Sequence, residues 1–318
     1  MEGPTILITA SAYATPHTLA RIRALAPGAA VFGPDDWKRD SSLIERVEVV
    51  LGKLPADALA RAARLKWIHT TAAGADWAQR PPACAHPVLV TSSHIHAESI
   101  AEHLFGLLLM LVRGLHTAHG HQLAATWAKK ADSLPDILTA KRLCVVGLGT
   151  IGRRCAELGA AFGMSVCGVR RHPQPTPGVA TVYGPADICQ AFAQSDVVMV
   201  VLPGTAETDR LIGRRELAAL PAGAYLLNAG RGKTVDTDAL TEALSSGHLA
   251  GAGLDVVDPE PLPPDHPLWR MPNVLITPHT SGLHRTYIPE ATDAFLDNLK
   301  RFLADQPLLG LVDKTLGY

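Results

Sequence analysis

Long apolar runs, paired cysteines and basic tracts are all scarce in this sequence, and each scarcity excludes something. The longest apolar stretch, near Leu104–Val112, is flanked by Glu102, His103 and Arg113. It is too short to span a bilayer, so it reads as a buried helix and no membrane is expected. The start, Met1-Glu2-Gly3-Pro4, lacks the basic patch of a signal peptide, and Thr5–Ala10 is too short for its apolar core. The cysteines, at 84, 144, 155, 167 and 189, form no CxxC pair, and three of them sit in apolar segments as small core residues do. A disulfide framework is not expected, and a reducing cytoplasm is the expected location. With a formal net charge of −1 and no long basic run, nothing favours nucleic acid or an anionic membrane as partner. Short-period repeats and low-complexity tracts are also lacking.

What is present is a well-buried chain: 318 residues, 47% hydrophobic and 19% charged, enough for two domains. Short β-branched runs alternate with longer helical patterns, which implies an α/β fold of parallel sheets covered by helices. The first third predicts strands at Thr5–Ala10, Val47–Leu51, Trp67–Thr70 and Val88–Thr91, and helices near Pro16–Leu25, Asp57–Ala63 and Gly74–Ala78. A long helix is expected from His96 to His119. A second series gives strands at Leu143–Val146, Ser165–Val169, Val197–Leu202, Ala224–Asn228, Gly253–Val256 and Val274–Thr277. Its helices include Ile151–Phe162 and Thr237–Ser246, the latter capped by Asp236 and stopped by Gly247. A last helix, Pro289–Leu303, has no strand of its own and is expected to return to the first domain. The expected domains are therefore 1–97 with 284–318, discontinuous, and 98–283.

Gly147-Leu148-Gly149-Thr150-Ile151-Gly152 follows an apolar strand and opens a helix, the context that makes GxGxxG a dinucleotide fingerprint. Gly147 suits the tight turn, Gly149 lets backbone approach a pyrophosphate, and Gly152 permits close helix–strand packing. The first helical amides offer donors to the anion. A plain structural glycine turn is the competing interpretation. At the end of the next strand, an NAD site carries Asp or Glu for the ribose 2′-hydroxyl. Here the sequence reads Val169-Arg170-Arg171-His172, whose guanidinium groups could grip a 2′-phosphate. NADP(H) is the expected cofactor, with NAD(H) as the alternative; one Arg merely stacking on adenine or facing solvent is the bland option.

Hydride transfer to a keto acid also needs a cation for the carboxylate and carbonyl, and an acid to protonate the nascent alkoxide. Ligands of open α/β sheets bind beyond strand C-termini. Arg231 follows the strand ending at Asn228, in Asn228-Ala229-Gly230-Arg231-Gly232. Glu260 follows in Asp255-Val256-Val257-Asp258-Pro259-Glu260-Pro261, and His279 in Thr277-Pro278-His279-Thr280-Ser281-Gly282. Singly these would be a structural ion-pair partner, a solvated carboxylate and a helix cap. At three successive strand ends they point jointly to catalysis.

These strand ends resemble the signature of the D-isomer-specific 2-hydroxyacid dehydrogenase family. Further matching pieces, in family order, are Leu65-Lys66-Trp67-Ile68 with Ala73-Gly74-Ala75-Asp76, Ala101-Glu102-His103, Leu202-Pro203 with Thr208, and the glycine turn. The resemblance implies two Rossmann-like domains with the active site in the cleft between them, and a homodimer built through the dinucleotide-binding domain. It implies that Arg231 clamps the carboxylate and keto oxygen, that His279 is the general acid in reduction, and that Glu260 fixes and charges its imidazole. It places Ala73 and Gly74 amides at the substrate carboxylate and Asp255 at the nicotinamide carboxamide. Leu202, Pro203, Thr208, Asn228, Ala229, Gly230 and Ser281 are its further cofactor-binding positions. Leu51-Gly52 is expected to leave room near the carbonyl. The glyoxylate and hydroxypyruvate reductase branch is the nearest resemblance, with reduction of bulkier phenylpyruvate-type or branched 2-keto acids as the alternative. A dinucleotide-sensing corepressor is a reading from another class, weakened by the short segment after the last helix. Formate dehydrogenase is discounted because its pattern carries Gln at the position of Glu260.

His94, His96, His103, His116, His119 and His121 crowd one region but show no recognised ligand spacing, so no metal is expected and they read as packing or solvated side chains. Trp127, Trp269 and Tyr287 are candidates to wall the substrate site or to serve as packing and interface residues.

Overall fold

Apolar runs of a few residues, each closed by a turn, form strands that pair with parallel neighbouring strands, and most of the covering helices lie in the connections between them. The computed structural model describes residues 3–128 and 135–318; Met1 and Glu2, part of the start read above for a signal peptide, lie outside them. The chain divides into two units, 3–96 with His284–Tyr318 and Ala97–Leu283.

The first unit begins β1 (Thr5–Ile8), α1 (Pro16–Leu25), β2 (Ala30–Phe32), α2 (Pro34–Arg39), β3 (Val49–Leu51), α3 (Ala56–Arg61), β4 (Trp67–Thr70) and β5 (Leu89–Ser92). Its sheet has the order β2-β1-β3-β4-β5. Helix α1 starts where Thr15 accepts from the Thr18 amide and Pro16 occupies the first turn, both favourable at a helix start. The expected helix at Gly74–Ala78 is instead a short 3₁₀ turn over Asp76–Gln79.

The second unit runs through α4 (Ala97–Val112), α5 (Leu115–Leu123), β6 (Arg142–Val146), α6 (Thr150–Ala161), β7 (Ser165–Val169), β8 (Thr181–Tyr183), α7 (Ile188–Ala193), β9 (Val197–Val200), α8 (Arg214–Ala219), β10 (Ala224–Asn228), α9 (Thr237–Ser245), β11 (Leu249–Leu254) and β12 (Val274–Ile276). The sheet order is β12-β11-β10-β9-β6-β7-β8, which reverses at β6. The single long helix expected from His96 to His119 is corrected to two. Gly114 adopts a left-handed φ of 62°, and α4 and α5 meet at a 70° bend. No single helix among the described residues is long and apolar enough to cross a membrane.

Each sheet buries a layer on both faces. On the second, α4 and α6 pack Leu104, Leu108 and Cys155 against Leu143, Val145 and Met199, while α7 to α9 cover Val146, Val198 and Leu226. Strand β11 is placed at Leu249–Leu254, earlier than the expected Gly253–Val256, and its glycines explain the difference. A side chain on Gly253 would begin 3.0 Å from the Leu107 Cβ, so this strand is glycine-rich where α4 lies on it.

The chain then returns to the first unit as α10 (Tyr287–Leu303). Its Phe295 and Phe302 stack on Trp67 of β4 at 5.2 and 5.6 Å between ring centroids. Buried Asn298 exchanges two hydrogen bonds with the backbone of Leu309. The segment so held runs antiparallel to β5, with Ser92 donating to Gly310 and the Val312 amide to Val90. It covers the free edge of β5, where unpaired amides and carbonyls would otherwise face solvent.

Candidate active site

All strands of the second sheet are parallel, so the loops leaving their C-terminal ends share one edge. Asn228, Leu254 and Ile276 are register partners on β10, β11 and β12. The loops carrying Arg231, Glu260 and His279 therefore start level, one strand spacing of about 4.8 Å apart.

Arg231 is held by its main chain. Its carbonyl accepts from Asn228 Nδ2 (3.2 Å) and Thr234 Oγ1 (2.6 Å), while Asn228 Oδ1 accepts from the Gly230 amide (3.0 Å). Buried Asn228 is thus the brace of this loop, and Ala229 and Gly230 are buried with it. The Arg231 guanidinium donates to the Gly230 carbonyl at 2.8 Å.

His279 Nδ1 lies 2.6 Å from Glu260 Oε1, with both side chains about half exposed. An ionised carboxylate only accepts, so Nδ1 carries the hydrogen and Nε2 is the nitrogen left to face a reactant. His279 sits at a φ of 56°, left-handed and uncommon for a residue with a side chain. Asp255 supports that turn: its carbonyl accepts from the His279 amide (2.9 Å), and its carboxylate accepts from Thr277 Oγ1 (2.6 Å), Thr280 N (2.9 Å) and Ser281 N (3.1 Å). The Asp255 side chain has no exposed surface. Burial alone would raise its pKa, but the hydrogen bonds from Ser281, Thr277 and Thr280 outweigh that and the carboxyl titrates below its ordinary value. Three donors thus converge on the Asp255 carboxylate, and through them it holds the 277–281 turn. Ser281 is buried in the same turn.

At the β6 end, Gly147 takes a φ of 105°, and a side chain on Gly152 would begin 1.8 Å from the Gly147 carbonyl oxygen. Gly149 faces open space and forms the N-cap of α6, ahead of Thr150 and Ile151. A close backbone turn, open on one side and feeding a helix start, fits a pyrophosphate. Beyond β7, Arg171 pairs with Glu207, and Arg170 donates to Gln174 Oε1 at 2.7 and 3.1 Å when that amide is turned to satisfy both of its polar atoms. His172 is exposed beside them. Neither Gln174 nor Glu207 was expected from the sequence, because each reaches its arginine only through the folded loops. Leu202 and Pro203 lie half-buried at the β9 end, and Thr208 spends its hydroxyl on the Pro203 carbonyl at 2.7 Å.

The remaining expected substrate positions belong to the first unit. Ala73 and Gly74 follow β4, and Gly52 follows β3 with a φ of 122°. Leu51 is fully buried, so its side chain belongs to the core of the first unit. Trp127 is 90% exposed; Trp269 is half exposed and donates to the Pro263 carbonyl; Tyr287 donates to the Thr71 carbonyl. Among the described residues no group of three or more His, Cys, Asp or Glu is arranged to hold a metal ion.

A family model described as D-isomer specific 2-hydroxyacid dehydrogenase, NAD binding domain, matches residues 105–281. The chain belongs to the D-isomer specific 2-hydroxyacid dehydrogenase family. This dehydrogenase is 32% identical, over 94% of its length and 92% of the other's, to glyoxylate/hydroxypyruvate reductase A of Serratia proteamaculans. The family member from Xanthobacter autotrophicus Py2, solved in complex with NADPH and MES, shares 32% identity at a TM-score of 0.85, with all of both chains covered. The NADPH-dependent glyoxylate/hydroxypyruvate reductase of Sinorhizobium meliloti, in complex with NADP and sulfate, matches at 25% identity and a TM-score of 0.85, over 99% of this chain and 100% of that one. The dehydrogenase is thus an oxidoreductase built on two Rossmann-like units, and the GxGxxG turn lies inside the matched dinucleotide-binding region.

Proposed function

We propose that this chain is an NADPH-preferring reductase of small 2-keto acids of the glyoxylate and hydroxypyruvate type, yielding D-2-hydroxy acids. The observation that carries the reading is the 2.6 Å contact between Glu260 and His279 Nδ1, two strand spacings from the Arg231 loop. When bound, the reduced nicotinamide supplies the hydride. Arg231 binds the carboxylate and draws charge onto the keto oxygen through its planar fork. His279 delivers the Nε2 proton to that oxygen as charge develops there. Glu260 holds the Nδ1–H tautomer and stabilises the charged ring before the proton leaves.

Preference for NADPH is supported by Arg170 and Arg171 at the β7 end, where an NAD site places an acid, and by the NADPH and NADP held in the similar solved structures. The amides of Ala73 and Gly74 are further substrate-binding candidates, and the chain is proposed to be a homodimer. Exposed Leu115, Leu123, Trp127 and Ile137 on the second unit are apolar residues that a second copy would cover.

The test is oxidation of NADPH and NADH, followed optically, against glyoxylate, hydroxypyruvate, pyruvate, phenylpyruvate and 2-ketoisovalerate. Highest kcat/KM with NADPH and one of the two small acids is expected. Best turnover with phenylpyruvate or 2-ketoisovalerate would replace the substrate class. No turnover with any of the five, at retained dinucleotide binding, would reject the reductase reading in favour of a sensing role.

A further inference from the structure

Helix α4 is buried along most of its length, yet His103 on it is not a mere packing residue. Its Nε2 lies 2.9 Å from Thr277 Oγ1, and that hydroxyl lies 2.6 Å from Asp255 Oδ1. A hydroxyl has one hydrogen. The short bond to an ionised carboxylate, which can only accept, claims it. Thr277 must then accept from His103, so Nε2 of His103 carries a hydrogen and the chain of donation runs His103 to Thr277 to Asp255. The His103 ring also stands 3.8 Å from Asp255 Oδ1.

We propose that His103 is a positioning residue for the reaction. Acting through Thr277, it fixes the rotation of the Asp255 carboxylate, which in turn holds the Thr280 and Ser281 amides and the left-handed turn that presents His279. The proposal rests on the reading of His279 as the acid. Its physical basis is the cost of the alternative. Without a donor from α4, Thr277 Oγ1 has a lone pair facing a half-buried gap, and the hydroxyl is free to rotate away from Asp255. The carboxylate, wholly buried, would then lose one of its donors, and the turn at φ 56° would lose part of the support that keeps a non-glycine residue there. The sequence carried a faint signal, since Ala101-Glu102-His103 stood out as a motif piece, but no spacing rule links position 103 to position 277.

The test uses His103→Leu, which keeps the volume and removes the donor, and His103→Gln, whose amide Nε2 can restore it. Two readouts are taken on the full chain: steady-state turnover, and hydrogen exchange of the Thr280 and Ser281 amides without dinucleotide. H103L is expected to lower kcat about 10- to 100-fold with KM for the keto acid changed less than about threefold. The two amides should exchange at least about tenfold faster. H103Q should recover most of both losses, and Thr277→Val should reproduce H103L, with the double variant no worse than either single one. Unchanged exchange and turnover in H103L would overturn the proposal. So would an H103Q as impaired as H103L, since shape rather than donation would then be responsible. If the unaltered chain reduces no 2-keto acid, the proposed reaction fails, while the exchange readout still decides whether His103 holds the turn.

Discussion

Glu260 touches only one nitrogen of His279, and that contact decides which nitrogen can act. Removing it should therefore cost rate rather than substrate affinity: Glu260→Ala is expected to lower kcat about 10- to 100-fold at a nearly constant KM, read by steady-state kinetics. For Arg231→Ala the expected loss in kcat/KM is on the order of 10³, or about 4 kcal/mol. Arg231→Lys should recover little of it, because an ammonium cannot span carboxylate and keto oxygen with a planar fork. An Arg231→Ala variant keeping a tenth of the activity would refute its assignment. In the cofactor loop, Arg170→Ala combined with Arg171→Ala should raise KM for NADPH more than about tenfold and leave NADH within about threefold, as loss of charge-assisted bonds to a 2′-phosphate requires. These side chains were legible in the sequence because each follows an apolar run at the C-terminal end of a strand. What stayed hidden is contact that depends on the folded backbone: Glu207 reaching Arg171 from another loop, Gln174 turning back on Arg170 within its own loop, and His103 meeting Thr277 from α4. The inward direction of Leu51 and the enclosure of the Asp255 carboxylate were hidden for the same reason.

At the scale of elements, the apolar runs with clear ends were read correctly. Helix α1, and strands β4, β7 and β10, have the expected bounds. The strands that escaped, β2 and β8, are three residues long at sheet edges and only partly buried, so no apolar run marks them. The helix pattern ran on through Arg113-Gly114-Leu115 because apolar spacing persists across the bend, while the break lies in one glycine's backbone angle. Strand β11 hid behind its own glycines, which make room for α4. Gly253→Val should overpack that contact and destabilise the protein by about 1–3 kcal/mol, lowering Tm in a thermal scan. A Tm equal to that of the unaltered chain would mean that α4 shifts freely on the sheet.

For the molecule as a whole, acid stability is expected to turn on His69. It is almost fully buried in the first unit, with Nδ1 2.8 Å from Thr91 Oγ1 and Nε2 3.0 Å from Ser93 Oγ. Burial, with a smaller contribution from the nearby His94, pushes its pKa from 6.5 down to about 4. Between these values the unfolded chain binds a proton that the folded chain refuses. Stability is therefore full above pH 6.5 and falls as the pH drops towards 4, by about 3 kcal/mol from this residue. Denaturant midpoints at pH 7 and 4.5 would show the drop, and His69→Gln should flatten it; an equal slope in both proteins would place the acid sensitivity elsewhere. Homodimer formation belongs to the same scale. Sedimentation of the full chain should give a dimer, and Leu123→Asp with Trp127→Ala should shift it towards monomer.

The return of α10 to Trp67 has a consequence in time. Every strand and helix of the second unit lies in one uninterrupted stretch, whereas the first sheet lacks the Phe295–Phe302 face and the Gly310–Val312 edge until the end of the chain has been made. During synthesis the second unit can close as soon as it leaves the ribosome, and the first waits, its β5 edge bare, for residues more than 190 positions behind it. A ribosome stalled before α10 would display a finished dinucleotide fold tethered to an open sheet, the species on which a chaperone would act.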